Sequence, residues 1–476
     1  MNFNIDAKVM GEYDVIVCGG GTAGVMAAVS AAKNGAKTLM IERGAIPGGM
    51  ITTGNAGITK SLVHTHDVKK YKEGVLDMLS KDPGSVQVVG GLTKEFLDRL
   101  ISTGAGIGTH GQPGSYVFTA LYPAVWNLME TLDEAGIDTL YMTNICGTVC
   151  ENGRVNGVVV FNKSGFGIYN GKVIIDTTGD ADVSAFSGAE YVLGAGSGDL
   201  KEFENVVLGS MMGFGTMFRV DNVDMEELFE YLTQNSDKFH LHEFGVMDLD
   251  NIKKSYRNGE MVVFRFYHGE NNSEIMQVYN TPIKNQVILL TGIHRKGTDG
   301  LNTEYVSKCI HELHGIVRGK FERIKAEVPG FKNMEMNNIP EIGIRETRHI
   351  VGVVKLMAED IVKNRQWEDS IGRGGHPVDI SGVSKELNVN NVQEKWSFGI
   401  PYRCLVPENI NGLLVAGRCV SASRVASGAI RPTVQCMIMG EAAGAAAAIC
   451  VKNGTEPRDI DIKVLQAALK AQGAVL

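Results

Sequence analysis

Three regimes of apolar and polar patterning follow one another along the chain. Near the start, YDVIVCG (residues 13–19) is a short apolar run ending in glycine, the pattern of a strand buried on both faces. TAGVMAAVSAAKNG (22–35) predicts a small-residue helix that stops at Gly35, and KTLMIE (37–42) a second strand. VFTALYPAVWNLMETLDEAG (117–136) predicts a strand end and then a helix with Leu128, Leu132 and Ala135 on one face. IDTLYMTNICGTVCE, VNGVVVFNKSG and GKVIIDTTGDAD follow as three strands, the first two joined by a hairpin at ENGR (151–154). From about Val192 to Glu394 the pattern changes to charged helices, such as NVDMEELFEYLTQN, between antiparallel-looking strands, EMVVFRFYHGE and QVILLTGIH. The third regime returns to α/β: GLLVAGR (412–418) reads as a strand, and VQCMIMGEAAGAAAAICVKNG (434–454) as a helix ending in glycine.

The predicted fold class is therefore α/β. A Rossmann-like dinucleotide-binding domain is assembled from residues 1–65, 117–191 and 395–476. Residues 66–116 and 192–394 form an inserted α+β cap for the substrate. A chain of 476 residues is long enough for two such units. No internal repeat or low-complexity tract interrupts them.

Composition narrows the partners. With 46 basic against 54 acidic residues the net charge is −8, which argues against nucleic acid and against an anionic membrane surface. The eight cysteines include no C-x-x-C pair and no zinc or iron–sulfur spacing, which fits a reducing, cytoplasmic setting. The opening MNFNIDAKVMGEYD lacks the apolar and basic regions of a secretion signal. No apolar run reaches the roughly 20 residues of a membrane span.

The chemistry begins at GGGTAG (19–24). Gly19 permits the tight turn out of the strand, Gly21 lets backbone approach a pyrophosphate, and Gly24 allows close helix packing. The helix that follows aims its free N–H groups at the phosphates. Glu42 ends the next strand, where a carboxylate can accept both hydrogen bonds of a ribose diol. These features admit either NAD(P) or FAD.

Later segments bear on that choice. GGGTAG is joined in order by IPGGM (46–50), IIDTTGD (174–180), IRETRHIVG (344–352), LLVAGR (413–418) and GEAAG (440–444). In this series the chain resembles, nearly end to end, the bacterial FAD-dependent oxidoreductases, whose flavin domain is shared with fumarate reductase and succinate dehydrogenase flavoproteins. The resemblance implies FAD, and assigns the pyrophosphate to Gly19, Gly21 and Gly24 and the adenosine ribose to Glu42, with Arg43 beside it. It implies that Gly48, Gly49 and Met50 run along the ribitol and flavin, and that the Ile145 backbone contacts adenine. Gly179 and Asp180 would close the pyrophosphate side, and Gly417 and Arg418 would lie by the ribitol. Thr433 would place backbone N–H groups near the flavin carbonyl that turns anionic on reduction. With no histidine in GGMITTGNAG (48–57), the FAD is expected to be non-covalent. A second dinucleotide fingerprint is missing, since VLGAGSGD (192–199) has the wrong spacing.

Four residues stand out as catalytic candidates. Arg345 and Arg348, three apart, would share a helix face and clamp a carboxylate or stabilise an enolate, or else pair with Glu341 and Glu346. In GGHPVDIS (374–381) Asp379 matches the family's Pro-x-Asp-x-His, but Ser381 stands where the histidine is expected. His376 is then the candidate acid or base. Arg431 opens the last helix. Tyr402 and Arg403 are expected to face the cofactor. His64, His66 and Asp67, and His240, His242 and Glu243, resemble metal sites only loosely, and no metal is expected. His311 and His314 read as surface residues of a charged helix.

The expected function is hydride transfer between flavin N5 and a small organic molecule. Alternatives are an electron-transfer subunit served by a separate redox partner, a flavin-dependent RNA-modifying enzyme, which the acidic charge disfavours, and a non-enzymatic FAD module. A separate electron donor or acceptor and a homo-oligomer are both compatible with the sequence.

Overall fold

The computed structural model describes residues 7–59, 63–64, 86–108, 116–196, 199, 207–240, 248–290, 299–339, 341–376, 378–380 and 397–476. Lys8–Cys18, Thr22–Lys33 and Thr38–Ile41 form the expected strand, helix and strand. The two strands are parallel, Val15 opposite Thr38 and Cys18 opposite Ile41. Asp138–Leu140 extends the sheet past Thr38–Ile41. On the other side Gly165–Asp176 runs parallel to Lys8–Cys18, and Leu413–Val415 continues past its last residues. The first half of Gly165–Asp176 pairs antiparallel with Arg154–Asn162, which pairs with Asn144–Glu151. The hairpin between those two turns on Asn152 and Gly153, with φ of 51° and 73°, the geometry an Asn-Gly pair favours.

All the parallel strands end on one edge. Gly19, Glu42, Thr177 and Ala416, each the first residue past its strand, meet there. The chain leaves Lys8–Cys18 to one side and returns on the other, so a crevice opens at this edge.

Alternation along the strand divides the core into two layers. Val15 and Val17 face the helices, whereas Ile16 and Cys18 face the antiparallel meander. On the helical side Thr433–Asn453 crosses Thr22–Lys33. Every residue from 434 to 450 is buried. By length and hydropathy this helix could cross a membrane, but 89% of its apolar window lies inside the protein, as a central core helix requires. The crossing is close because Gly440 and Gly444 have no side chain. A Cβ at either would run into the carbonyl oxygens of Ala23 and Ala27.

The same core takes in residues that sequence reading places in the inserted unit. Leu92, Phe96, Leu97 and Leu100 of the helix Gly91–Ser102 pack there, as do Ile350, Leu356, Ile361 and Ile371. The attachment of the first group is a long-range one. Glu441, buried on the last helix, accepts the backbone N–H groups of Leu92 and Thr93, capping a helix whose own N-cap, Gly90, offers no side chain.

The inserted unit is an antiparallel sheet in the order Phe239–His240, Val263–His268, Glu274–Asn280, Val287–Leu290, Met217–Asp221, Glu335–Asn338. Phe218, Val220, Val278 and Leu289 belong to one apolar layer with the helices Met225–Gln234, Leu249–Arg257 and Thr303–Glu327. The alternate residues leave the other face for the rest of the protein. Tyr279 meets Phe118 there with ring centroids 4.5 Å apart, and Met217 and Leu290 lie at its end.

Candidate functional site

A cavity of about 500 Å³ opens at the strand-end crevice and runs beneath the inserted sheet. Its first half is built from the glycine loop. Gly19 turns with φ of 110°, and a Cβ on Gly24 would collide with the Gly19 carbonyl, so these two positions fit only as glycines. The helix Thr22–Lys33 has no side-chain cap at Gly21, and nothing stands within 4 Å of where a Gly21 Cβ would be. Its first N–H groups therefore open into the cavity.

Glu42 sits beside this turn. Its carboxylate accepts the backbone N–H of Gly20 at 2.5 Å and of Gly44 at 2.6 Å. A carboxylate has about four lone-pair positions, so two remain for a diol. Arg43 and Ile145 line the same end. On the facing wall, Asp180 accepts from Arg418 and from the Thr347 hydroxyl, both at 2.7 Å. Burial raises the Asp180 carboxyl, but the Arg418 charge and these hydrogen bonds hold it below the usual carboxylate range. Asp182 moves the other way, raised by burial and by the neighbouring Asp180 and Asp176.

The second half is framed by three segments. The loop after Gly48 is pinned to the glycine loop, the Gly48 N–H donating to the Gly20 carbonyl at 2.8 Å. Gly49, Met50, Thr53, Gly54 and Ala56 then face the cavity. The strap 341–345 crosses above, bridged antiparallel to Gly215 through Gly343. The helix Thr433–Asn453 points its uncapped N-terminus inward, with Thr433 and Cys436 on the wall. Burial pushes the Cys436 thiol up to about 12. Met217 and Leu290 close the roof.

Of the residues singled out in the sequence, Gly19, Gly21, Glu42, Arg43, Gly49, Met50, Ile145, Gly179, Asp180, Arg345, Gly417, Arg418, Arg431 and Thr433 line this cavity. Gly24 and Gly48 shape it from behind. Arg348 departs from expectation. It is on a strand, Arg348–Ile350, paired with Tyr191–Leu193, and so shares no helix face with Arg345. Its guanidinium donates to the Asp180 carbonyl at 2.8 Å and to Asp182 at 2.9 Å and lies over Tyr191. Glu346 does not join the site either. Fully buried, it accepts from Arg424 at 2.6 Å and sits 3.1 Å from His349 Nε2.

His376 is not on the cavity wall, although its charge helps hold Asp379 ionised. Tyr402 and Arg403 also turn away from the crevice. Tyr402 donates to the Pro457 carbonyl and Arg403 pairs with Asp369 at 2.9 Å. His311 and His314 are exposed on Thr303–Glu327, as expected. His66, Asp67, His242, Glu243 and Ser381 lie outside the described residues, and of His64 and His240 only the strand backbone is described. The sequence did not single out the roof and strap, Gly215, Met217, Leu290, Ile342 and Gly343. Strand alternation would have found Met217, because Phe218 and Val220 beside it are core.

The donor set fits an extended dinucleotide. Arg418 keeps one buried guanidinium nitrogen, Nη1, without a hydrogen-bond partner, and two uncapped helix N-termini face one cavity. The model of the FAD dependent oxidoreductase family matches residues 14–469. The chain belongs to this family. It is an FAD-dependent oxidoreductase, and its cofactor is FAD. The chain is 26% identical over 185 residues to the digeranylgeranylglycerophospholipid reductase of Thermoplasma acidophilum. That match covers 39% of this chain and 44%, less than half, of the relative. Among solved structures the chain is similar to a geranylgeranyl bacteriochlorophyll reductase-like protein of T. acidophilum. The identity is 16% and the TM-score 0.42, with 97% of this chain and 83% of that one covered. It is also similar to the p-nitrophenol 4-monooxygenase of Pseudomonas putida, with 11% identity, TM-score 0.44, and coverage of 97% and 84%.

Proposed function

We propose that this FAD-dependent oxidoreductase moves a hydride between the flavin N5 and a small organic substrate held under the inserted sheet. The observation that carries this is the continuity of one cavity. It runs from Glu42 and Arg43 at the nucleoside end to Met50, Thr433, Arg345 and Arg431 beneath Met217 and Leu290. FAD, when bound, supplies a two-electron centre that accepts or returns hydride.

The protein's own part is positional and electrostatic. Gly19, Gly21 and the N–H groups of Thr22–Lys33 would hold the pyrophosphate, Glu42 the ribose, and Arg418 the ribitol side. Arg348 acts at one remove, as a positioning residue that fixes the Asp180 backbone. The open N-terminus of Thr433–Asn453 favours negative charge on the ring that enters beside it. The strap 341–345 and the sheet exclude water from the reacting face. A proton released by an oxidised substrate would leave toward Asp379, an ionised carboxylate on this wall, or toward bulk water.

We infer that the FAD is held without a covalent bond, and that the enzyme works in the cytoplasm, where its free cysteines stay reduced. Purified protein should be yellow, and acid denaturation should release intact FAD into the supernatant. Anaerobic bleaching across a panel of alcohols, amines and hydroxy acids, with recovery in air, tests hydride transfer. Colourless protein that cannot be reconstituted with FAD would refute the proposal.

A further inference from the structure

The basic residues of the reacting half are not equivalent. Arg431 is neutralised, its Nη2 donating to the Asp379 carboxylate at 2.8 Å and to the Asp379 carbonyl at 2.9 Å. Arg418 is neutralised by Asp180. Arg345 lines the same cavity and makes no hydrogen bond or ion pair among the described residues. Glu341, the other carboxylate on this wall, is exposed and is not paired with it.

The environment of Arg345 leaves its charge uncompensated. Burial and the like charge of Arg431 pull its guanidinium down to about 10, with Asp379 only partly opposing them. Its Nη2 lies 3.0 Å from where a Cβ on Gly215 would stand, so the glycine at 215 makes room for the fork. A half-buried cation without a counter-charge is costly to maintain in a fold, and a planar guanidinium matches a carboxylate with two parallel hydrogen bonds. Beside these charged groups the wall carries apolar side chains: Met50, Met217, Leu290, Ile342 and Ile344.

We propose that Arg345 anchors the carboxylate of a substrate that is a monoanionic organic acid, with its apolar body lying along Met217, Leu290, Ile342 and Ile344. This rests on the reading of the cavity as the substrate site. One unpaired guanidinium takes one carboxylate. A second anionic group would meet Asp379, so dicarboxylates and phosphate esters are disfavoured.

The test uses FAD-loaded protein and unreactive probes, read by perturbation of the flavin absorption band. Benzoate should perturb the band, and benzamide and benzyl alcohol should bind at least about tenfold more weakly, the loss expected for a charge-assisted pair. Arg345→Gln should weaken benzoate by about tenfold or more, and Arg345→Lys by less. Phthalate should bind worse than benzoate to the native protein and gain in Asp379→Asn. Equal binding of benzoate and benzamide, or an unchanged benzoate Kd in Arg345→Gln, overturns the proposal while leaving the flavin reading intact. Loss of FAD from both Arg345 variants also overturns it, since the residue would then serve the cofactor. Protein that takes up no FAD at all fails at the earlier reading instead.

Discussion

Replacing Gly19 by alanine separates two penalties that usually come together. Gly19 has φ of 110°, outside the range that side chains tolerate, and its added Cβ would stand 2.6 Å from the Thr177 carbonyl oxygen and 2.8 Å from the carbonyl carbon. Thr177 cannot yield easily, because its N–H and hydroxyl both bond the Cys18 carbonyl at 2.9 Å. Ordinary contact begins near 3.4 Å, so the two strand ends must part by roughly 0.8 Å, an overpacking that costs about 1–3 kcal/mol. The left-handed backbone adds about 1–2 kcal/mol. Gly35→Ala supplies the control, for φ there is 90° but nothing lies within 4 Å. It should therefore carry the backbone penalty alone. Melting of the apo-protein should place Gly19→Ala below Gly35→Ala, and both below the native chain. Flavin-fluorescence quenching should show FAD held normally by Gly35→Ala and at least about tenfold more weakly by Gly19→Ala, near 1.4 kcal/mol. If the two variants bind FAD within twofold of each other, the loop does not cradle the pyrophosphate as argued.

Other residues give independent tests. Burial raises the Glu441 carboxyl to about 7, against an ordinary value near 4.5, so its protonated form is favoured in the folded state. That stability is fully present below about pH 4.5 and is lost as pH rises through about 7. Glu441→Gln should accordingly gain progressively on the native protein as pH rises above 5, reaching on the order of 3 kcal/mol by pH 8, in melting or urea titrations. Glu346→Ala strips the buried counter-charge from Arg424 and should cost about 3–5 kcal/mol, with Glu346→Ala/Arg424→Met recovering much of it in the same melting assay. Asp180→Ala leaves the Arg418 guanidinium unpaired, and gel filtration should show the variant shedding FAD that the native protein retains.

What the sequence made legible was local. The glycine loop, its strand and its helix lie within about thirty residues, so their periodicities and stop signals are sufficient to read them. Arg348 was misread because a spacing of three is also compatible with an extended strand, and only the pairing with Tyr191–Leu193 decides between them. The packing of the helix Gly91–Ser102 into the main core is not legible locally, because its capping group, Glu441, lies about 350 residues away. Tyr402 was misdirected for a similar reason: its partner, the Pro457 carbonyl, comes from beyond the last long helix. The strap 341–345 carries no periodic signal of its own, and its place over the site depends on the bridge from Gly343 to Gly215.

The crossing of Thr22–Lys33 by Thr433–Asn453 also orders events during synthesis. The glycine loop leaves the ribosome early, yet the helix that supports its first turn is made more than four hundred residues later. At about 5–20 residues per second that interval is roughly 20–80 s. Through it the side of the first helix that Gly440 and Gly444 will pack against is uncovered, and the nascent chain has half a cofactor site. FAD capture then belongs to the close of translation, and a chain truncated before Thr433 has the glycine loop but lacks the second helix N-terminus that faces the same cavity.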